Sequence, residues 1–227
     1  MSIFQFNETV IEIDYSNSIT TELCDIMAKY YTDKSSHMKH HNYSYIYYDL
    51  FNSMRNNKIN LFELGLGTKN SNLESNMCCA DNKYVPGASL KGWKEFFTNG
   101  NIYGADIDKD ILFNEENIRT FYCNQTDRNT IREMWNNEEL SNIDFDIIID
   151  DGLHKFYANI IFLEESLHKL KKDGLYIIED IHNDNDFNSF MNNLENINKL
   201  DNNLSVKLIK IGGANPYDNN VLVIKKN

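Results

Sequence analysis

Proline is almost missing from this chain of 227 residues, which carries two of them. Cysteine is scarce as well. Cys24, Cys78, Cys79 and Cys123 include no C-x-x-C spacing, so neither a disulfide framework nor a zinc ribbon is expected. Cys78 and Cys79 have no second ligand pair near them and read as reduced thiols. Basic residues are outnumbered, 22 against 34 acidic, for a net charge of −12. That argues against a nucleic-acid binder, which needs a basic face. No apolar run approaches the roughly 20 residues of a membrane span. The opening residues Met1 to Glu8 lack a basic stretch followed by an apolar core, the pattern of a secretory leader. A cytoplasmic protein is therefore expected. Asn and Lys are abundant but follow no repeat, which sets aside solenoids and arrays.

What remains is an ordinary globular composition, 41% hydrophobic and 25% charged, on a chain long enough for a sizeable core. Residues 1–17 read as a polar arm or loose strand. Leu23, Ile26, Met27 and Tyr30 recur at helical spacing and predict a helix over about 18–31. A loop with Lys34, His37, His40 and His41 follows. The three histidines have poor spacing for a metal site, and the segment reads as a cover for a ligand, with Lys34 free to meet a carboxylate or phosphate. Tyr43, Ile46, Tyr47, Leu50, Phe51 and Met54 form a second helical stripe, read as core packing. Strands are predicted at about 59–64, 101–106, 119–123, 144–150, 174–179, 204–211 and 220–225, with helices between most of them. One of these helices carries Phe156, Ile160, Leu163, Leu167 and Leu170 and is expected to end in Lys171-Lys172-Asp173-Gly174. Strands alternating with helices imply a mainly parallel sheet. The last two strands are too close in sequence for a helical crossover and predict an antiparallel hairpin. Residues 1–57 are taken as a helical, substrate-covering segment and 58–227 as the ligand-binding domain. Within it, 68–87 form a long insertion without period, read as a lid.

The chemistry gathers at strand ends. Ile59 to Leu64 is an apolar run that breaks into Gly65-Leu66-Gly67. Such a turn offers bare backbone amides to a ligand. Alone it is a weak signal, and the third glycine of the dinucleotide fingerprint is replaced by Asn70. Asp106 ends the second strand, where an acid accepts ribose hydroxyls. Gln125-Thr126-Asp127 follows the third, where a base amino group needs an acceptor; the same residues suit a helix N-cap. Asp150-Asp151-Gly152-Leu153-His154 closes a buried strand, and Glu179-Asp180-Ile181-His182 repeats the acid-acid-x-His theme. Adjacent carboxylates favour a cation. Asp151 and Asp180 are expected to face each other and to suit Mg²⁺, with His154 as a general base.

Taken together, Tyr31-Thr32-Asp33-Lys34, Phe62-Glu63-Leu64-Gly65-Leu66-Gly67, Pro86-Gly87-Ala88-Ser89-Leu90, Ile102-Tyr103-Gly104-Ala105-Asp106-Ile107-Asp108, Gln125-Thr126-Asp127, Ile149-Asp150-Asp151-Gly152-Leu153-His154 and Ile178-Glu179-Asp180 resemble a known family. It is the class I S-adenosylmethionine-dependent O-methyltransferases of the macrolide, rhamnosyl and capsular-sugar group. The resemblance spans about residues 31–180. It implies an α/β, Rossmann-like fold: a seven-stranded, mainly parallel sheet with a terminal antiparallel hairpin and an N-terminal helical cap. It implies that Glu63, Gly65, Gly67, Asp106 and Asp127 hold S-adenosylmethionine. Thr32, Lys34, Ser89, Gln125 and Asp150, in the same matching pieces, join them as cofactor-side residues. Asp151 and Asp180 would ligate Mg²⁺, and His154, with Asp151, would be catalytic. The departure from the family is a third carboxylate ligand, which has no evident position here. The implied substrate is a sugar or nucleotide-sugar hydroxyl, in the setting of a surface polysaccharide. A homo-oligomer is compatible with the sequence. Three other readings stay open: a nicotinamide-dependent oxidoreductase, a non-catalytic cofactor-binding partner subunit, and a metal-dependent hydroxylase.

Overall fold

The structure, a computed structural model, describes residues 3–183 and 185–227. A single sheet forms its centre. Strands β1 (Val10–Asp14), β2 (Asn60–Leu64), β3 (Asn101–Asp106), β4 (Asn114–Glu115), β5 (Ile118–Tyr122), β6 (Phe145–Asp150), β7 (Leu170–Ile181), β8 (Leu204–Gly212) and β9 (Asn220–Lys226) lie in the order β1-β8-β9-β7-β6-β2-β3-β5-β4. The β5-β3-β2-β6-β7 run is parallel, and β9 is antiparallel to both β7 and β8. The expected hairpin is therefore present.

The expected count of seven is corrected to nine strands among the described residues. The two additions are the edges. β1 pairs in parallel with β8, from Val10 opposite Leu208 to Asp14 opposite Gly212. The N-terminal segment is thus stitched to the sheet as well as helical. β4 has only two residues, Asn114 and Glu115, against β5. β1 is the loose strand read in residues 1–17, with Ile11 and Ile13 alternating with Glu12 and Asp14, whereas β4 is too short to show any pattern.

Helices α1 (Glu22–Lys29), α2 (Tyr43–Phe51) and α3 (Ala88–Phe96) cover one face; α4 (Arg128–Trp135), α5 (Phe156–Ser166) and α6 (Asn185–Asn198) cover the other. The inner strands supply both layers by alternation. In β6, Ile147 and Ile149 pack under α1–α3 and Ile148 under α4–α6, where Phe145 joins it across an irregularity in register between Phe145 and Ile147. In β2, Leu61 takes the first face and Phe62 the second. This parity decides where the acids at the strand ends point. One helix boundary also moves. α5 ends at Ser166, a single 3₁₀ turn covers Leu167–Lys169, and Leu170 already pairs with Phe145. Lys171 and Lys172 therefore lie in β7, because pairing with β6 outcompetes another helical turn.

β2 runs to β3 on one side and to β6 on the other, so the order reverses between β2 and β6. Open α/β sheets bind ligands at such a point, outside the carboxyl ends of the strands. Residues 68–87 contain no helix or strand. They are anchored at the base, where the Gly87 N–H donates to Leu66 O at 2.7 Å and the Met77 N–H to Thr68 O at 2.7 Å.

Candidate active site

A cavity of about 630 Å³ opens at the switch point. Its first half is backbone. Gly65 and Gly67 both sit at positive φ, +94° and +73°. A Cβ on Gly65 would overlap the Asp151 carbonyl oxygen, and one on Gly67 would overlap the Tyr84 hydroxyl. Only glycine fits this cradle. Asp106, 6% exposed, lines it and accepts from the Leu66 N–H at 2.7 Å and the Asp108 N–H at 2.8 Å. Burial raises its pKa. Each carboxylate oxygen keeps a lone pair for a further donor. Ser89, Gln125, Thr32 and Lys34 also reach the cavity wall, and Asn72 to Met77 of the insertion line its outer side.

The second half is charged. His154 Nε2 lies 3.1 Å from Asp151 Oδ1 and 3.6 Å from Asp180 Oδ2. The three groups offer ligand atoms within 4.8 Å of one another, a spacing that suits one metal ion. Lys34 is 2% exposed and places Nζ 2.5 Å from Asp151 Oδ2, against the Glu179 carboxylate, and 3.7 Å from Glu63 Oε1. Burial works against the Lys34 charge, yet Asp151, Glu179 and Glu63 hold its pKa well above the ordinary value. Burial also works against ionised Asp151, but Lys34 and His154 keep that carboxyl well below the usual range. For His154, burial lowers the pKa and the nearby Asp180 and Asp151 more than reverse it, to about 10. In the protein alone the two acids favour the charged form of His154.

His154 and Asp180 are themselves in the left-handed region, at φ +58° and +53°. Such conformations cost about 1–3 kcal/mol each in a non-glycine residue and gather at functional sites. Tyr43 helps hold Asp180 there: its hydroxyl donates to Asp180 Oδ1 at 2.7 Å and receives the Asp180 N–H at 3.1 Å. The Tyr47 hydroxyl donates to Glu179 in the same way.

Asp151, His154 and Asp180 are thus brought together, beside Lys34 and next to the glycine cradle. Three expected cofactor residues do not line the cavity. Glu63 has the parity of Leu61, points under α3, and accepts from Ser89 Oγ at 2.6 Å and from the Trp93 indole N–H. Asp150 has the parity of Ile148, points toward α5, and accepts from Gln125 Nε2 and Asn159 Nδ2. Asp127 caps α4 through the Asn129 N–H at 2.9 Å, the helix-cap alternative. His182 does not line the cavity either. Of the loop histidines, His37 pairs with Asp25 at the surface and His40 is exposed. His41 is buried, stacked on Tyr43 at 4.7 Å and 3.6 Å from Asp180 Oδ1.

Sequence reasoning missed Asp33, Tyr84 and Tyr157 on the cavity wall, and the hydroxyls of Tyr43 and Tyr47 beneath it. The last two carried a signal. Tyrosines at i and i+4 in an otherwise apolar stripe put two hydroxyls on one helix face, and buried hydroxyls need partners.

No family model matches the chain. It is similar to curated sugar methyltransferases. It is 29% identical over 142 residues, 62% of this chain and 33% of the relative, to the 8-demethyl-8-alpha-L-rhamnosyl tetracenomycin-C 2'-O-methyltransferase of Streptomyces olivaceus. It is 29% identical over 161 residues, 70% of this chain and 36% of the relative, to the mycinamicin VI 2''-O-methyltransferase of Micromonospora griseorubida. The chain thus spans about a third of the length of these relatives. Among solved structures it superposes on MycE methyltransferase from mycinamycin biosynthesis, in complex with Mg, SAH and mycinamycin VI. That match has a TM-score of 0.67 and 23% identity, and covers 92% of this chain and 56% of that one. The fold is that of a Rossmann-like methyltransferase.

Proposed function

We propose that the chain is an S-adenosylmethionine-dependent O-methyltransferase acting on a sugar hydroxyl. One observation carries the reading: the Asp151–His154–Asp180 cluster lines the same cavity as the Gly65–Gly67 turn and Asp106. An anchoring half adjoins a proton-handling half. The cradle fits a nucleoside cofactor, since Gly65 and Gly67 line the cavity with main chain and Asp106 offers acceptors to ribose hydroxyls. The cofactor supplies an electrophilic methyl group when bound.

The chain's own residues do the rest. Gly65, Gly67 and Asp106 fix the nucleoside, so transfer becomes a matter of alignment with an acceptor held at the other end. His154 Nε2, the atom that faces both acids, takes the acceptor proton. It is a base only once the charge of Asp151 and Asp180 is countered, because these acids hold its pKa near about 10. Their oxygens, with open positions beside them, suit a hard divalent ion such as Mg²⁺, which lowers the pKa of a bound hydroxyl. Lys34 has a structural share in this reading: its ammonium bridges Glu179 and one oxygen of Asp151, leaving Asp151 Oδ1 turned toward His154. The insertion 68–87 acts as a lid, with Asn72 to Met77 over the cavity.

The acceptors named for the curated relatives are sugars on tetracenomycin and mycinamicin, and none is a surface glycan. The reading is therefore carried as a sugar hydroxyl, and the surface-polysaccharide setting remains a narrower expectation. The test is a screen of neutral deoxysugar glycosides and nucleotide-sugars with S-adenosylmethionine and Mg²⁺. Acceptor-dependent formation of S-adenosylhomocysteine, with a product heavier by one methyl, supports the reading. Its absence across both sets, in protein that binds the cofactor, contradicts the choice of acceptor.

A further inference from the structure

The turn that carries His154 is held from below by side chains on the far side of the sheet from Lys34. Three successive N–H groups of the turn are taken. The Asp151 N–H donates to Leu64 O at 2.9 Å, the Gly152 N–H to Asp150 Oδ1 at 3.3 Å, and the Leu153 N–H to Gln125 Oε1 at 2.7 Å. The two side-chain acceptors are tied to each other, since Gln125 Nε2 lies 2.8 and 2.9 Å from the two oxygens of Asp150. The last donor is Asn159, in the first turns of α5, whose Nδ2 reaches Asp150 Oδ2 at 3.0 Å. Asp150 is fully buried and Asn159 is 2% exposed. Asn159 does not line the cavity, and its amide donates to Asp150.

We infer that Asn159 is a positioning residue: by fixing the Asp150 carboxylate it sets the 151–154 turn, and with it the direction of His154 and Asp151. A buried carboxylate is oriented by its donors, and Asp150 has three sources of them: the Gly152 N–H, the Gln125 amide and the Asn159 amide. Two of these belong to the loops being positioned and move with them. Asn159 alone comes from the rigid body of a helix, so it is the fixed reference. Without it, Asp150 is free to follow Gln125, and the turn loses what keeps His154 in a left-handed conformation that the backbone disfavours. The inference rests on reading His154 and Asp151 as the reacting end of the cleft.

The test uses the whole chain labelled at histidine, with the His154 ring signals assigned by their loss in His154→Ala. Asn159→Leu is expected to move the His154 ring signals and leave those of His37 and His168 in place. Mn²⁺, used alone as the probe, should bind about 10- to 100-fold more weakly, the usual effect of losing a residue that orients a ligand. Affinity for S-adenosylhomocysteine should fall less than affinity for Mn²⁺, because Asn159 reaches the glycine cradle only through Asp150, Gln125 and the 151–154 turn. General loosening of the fold would move all three readings together. Unmoved His154 signals with wild-type Mn²⁺ affinity would overturn the inference. A wild type that takes up no Mn²⁺ contradicts the metal reading instead, and the His154 signals then decide the role of Asn159 alone. If Asn159→Leu does not fold, Asn159→Ser, which keeps a shorter donor, supplies the same readings.

Discussion

At the ends of β2 and β3 the cleft is walled by main chain: two glycines at positive φ, with Asp106 clamped by the Leu66 and Asp108 N–H groups. At the ends of β6 and β7, one sheet position away, it is walled by charged side chains: Asp151, His154 and Asp180 on the cavity and Lys34 wedged beside them. The first half rests on main-chain conformation and on one carboxylate, Asp106. The second depends on individual charges, on two non-glycine residues in the left-handed region and on a buried lysine. The halves differ because their tasks differ. Anchoring a nucleoside needs fixed donors and acceptors, whereas moving a proton needs groups whose charge can change.

The comparison predicts separable defects. The largest belongs to His154. His154→Ala should lower methyl transfer by a factor on the order of 10²–10⁴ at saturating substrate. Affinity for S-adenosylhomocysteine, followed by titration calorimetry, should stay within about twofold. A parallel loss of both would mean that the halves are one unit.

The second effect is one of stability. Burial raises the Asp150 carboxyl from 3.8 to about 6. A group raised on folding stabilises the native state below its unfolded pKa, and that contribution is lost as pH rises through the folded value. This rise corresponds to about 3 kcal/mol, lost between about pH 4 and pH 6. Asp150→Asn should remove this part of the pH dependence in chemical denaturation. Curves of equal slope for the two proteins over that range would refute the buried charge.

Asp106→Ala sharpens the other half. Hydrogen bonds to a charged group contribute about 1.5–3 kcal/mol, so affinity for S-adenosylhomocysteine should fall about 10- to 100-fold. Mn²⁺ binding at the β6–β7 end should not change, and an equal loss there would dissolve the distinction. Gly65→Ala is the substitution built to break it. The left-handed backbone adds about 1–3 kcal/mol of destabilisation, read from the melting temperature. The new Cβ pushes on the Asp151 carbonyl, so both ligands should bind more weakly.

Much of this architecture was legible in the residues, for identifiable reasons. The central strands are continuous apolar runs that end in Gly, Asp or Glu, because they are buried on both faces and open only at their tips. Asp151, His154 and Asp180 could be placed together because neighbouring parallel strands bring their ends together. The direction of the remaining acids could not be read. Glu63 and Asp150 occupy the same kind of strand end as Asp106, and only the alternation of the folded strand sends them under α3 and toward α5. In sequence Lys34 reads as a loop lysine free to meet a carboxylate or phosphate, with no partner named. Its burial among three carboxylates depends on contacts across 117 and 145 residues of sequence, which no local pattern records.

The central claim is that the glycine-turn half of this cleft holds S-adenosylmethionine. Its most direct test is calorimetric titration of the purified chain with S-adenosylhomocysteine, for the wild type and His154→Ala, each with and without Mg²⁺. Saturable binding at one site per chain, weakened neither by the substitution nor by withholding Mg²⁺, is the predicted result. No binding under any of these conditions would contradict the account and turn attention to nicotinamide cofactors.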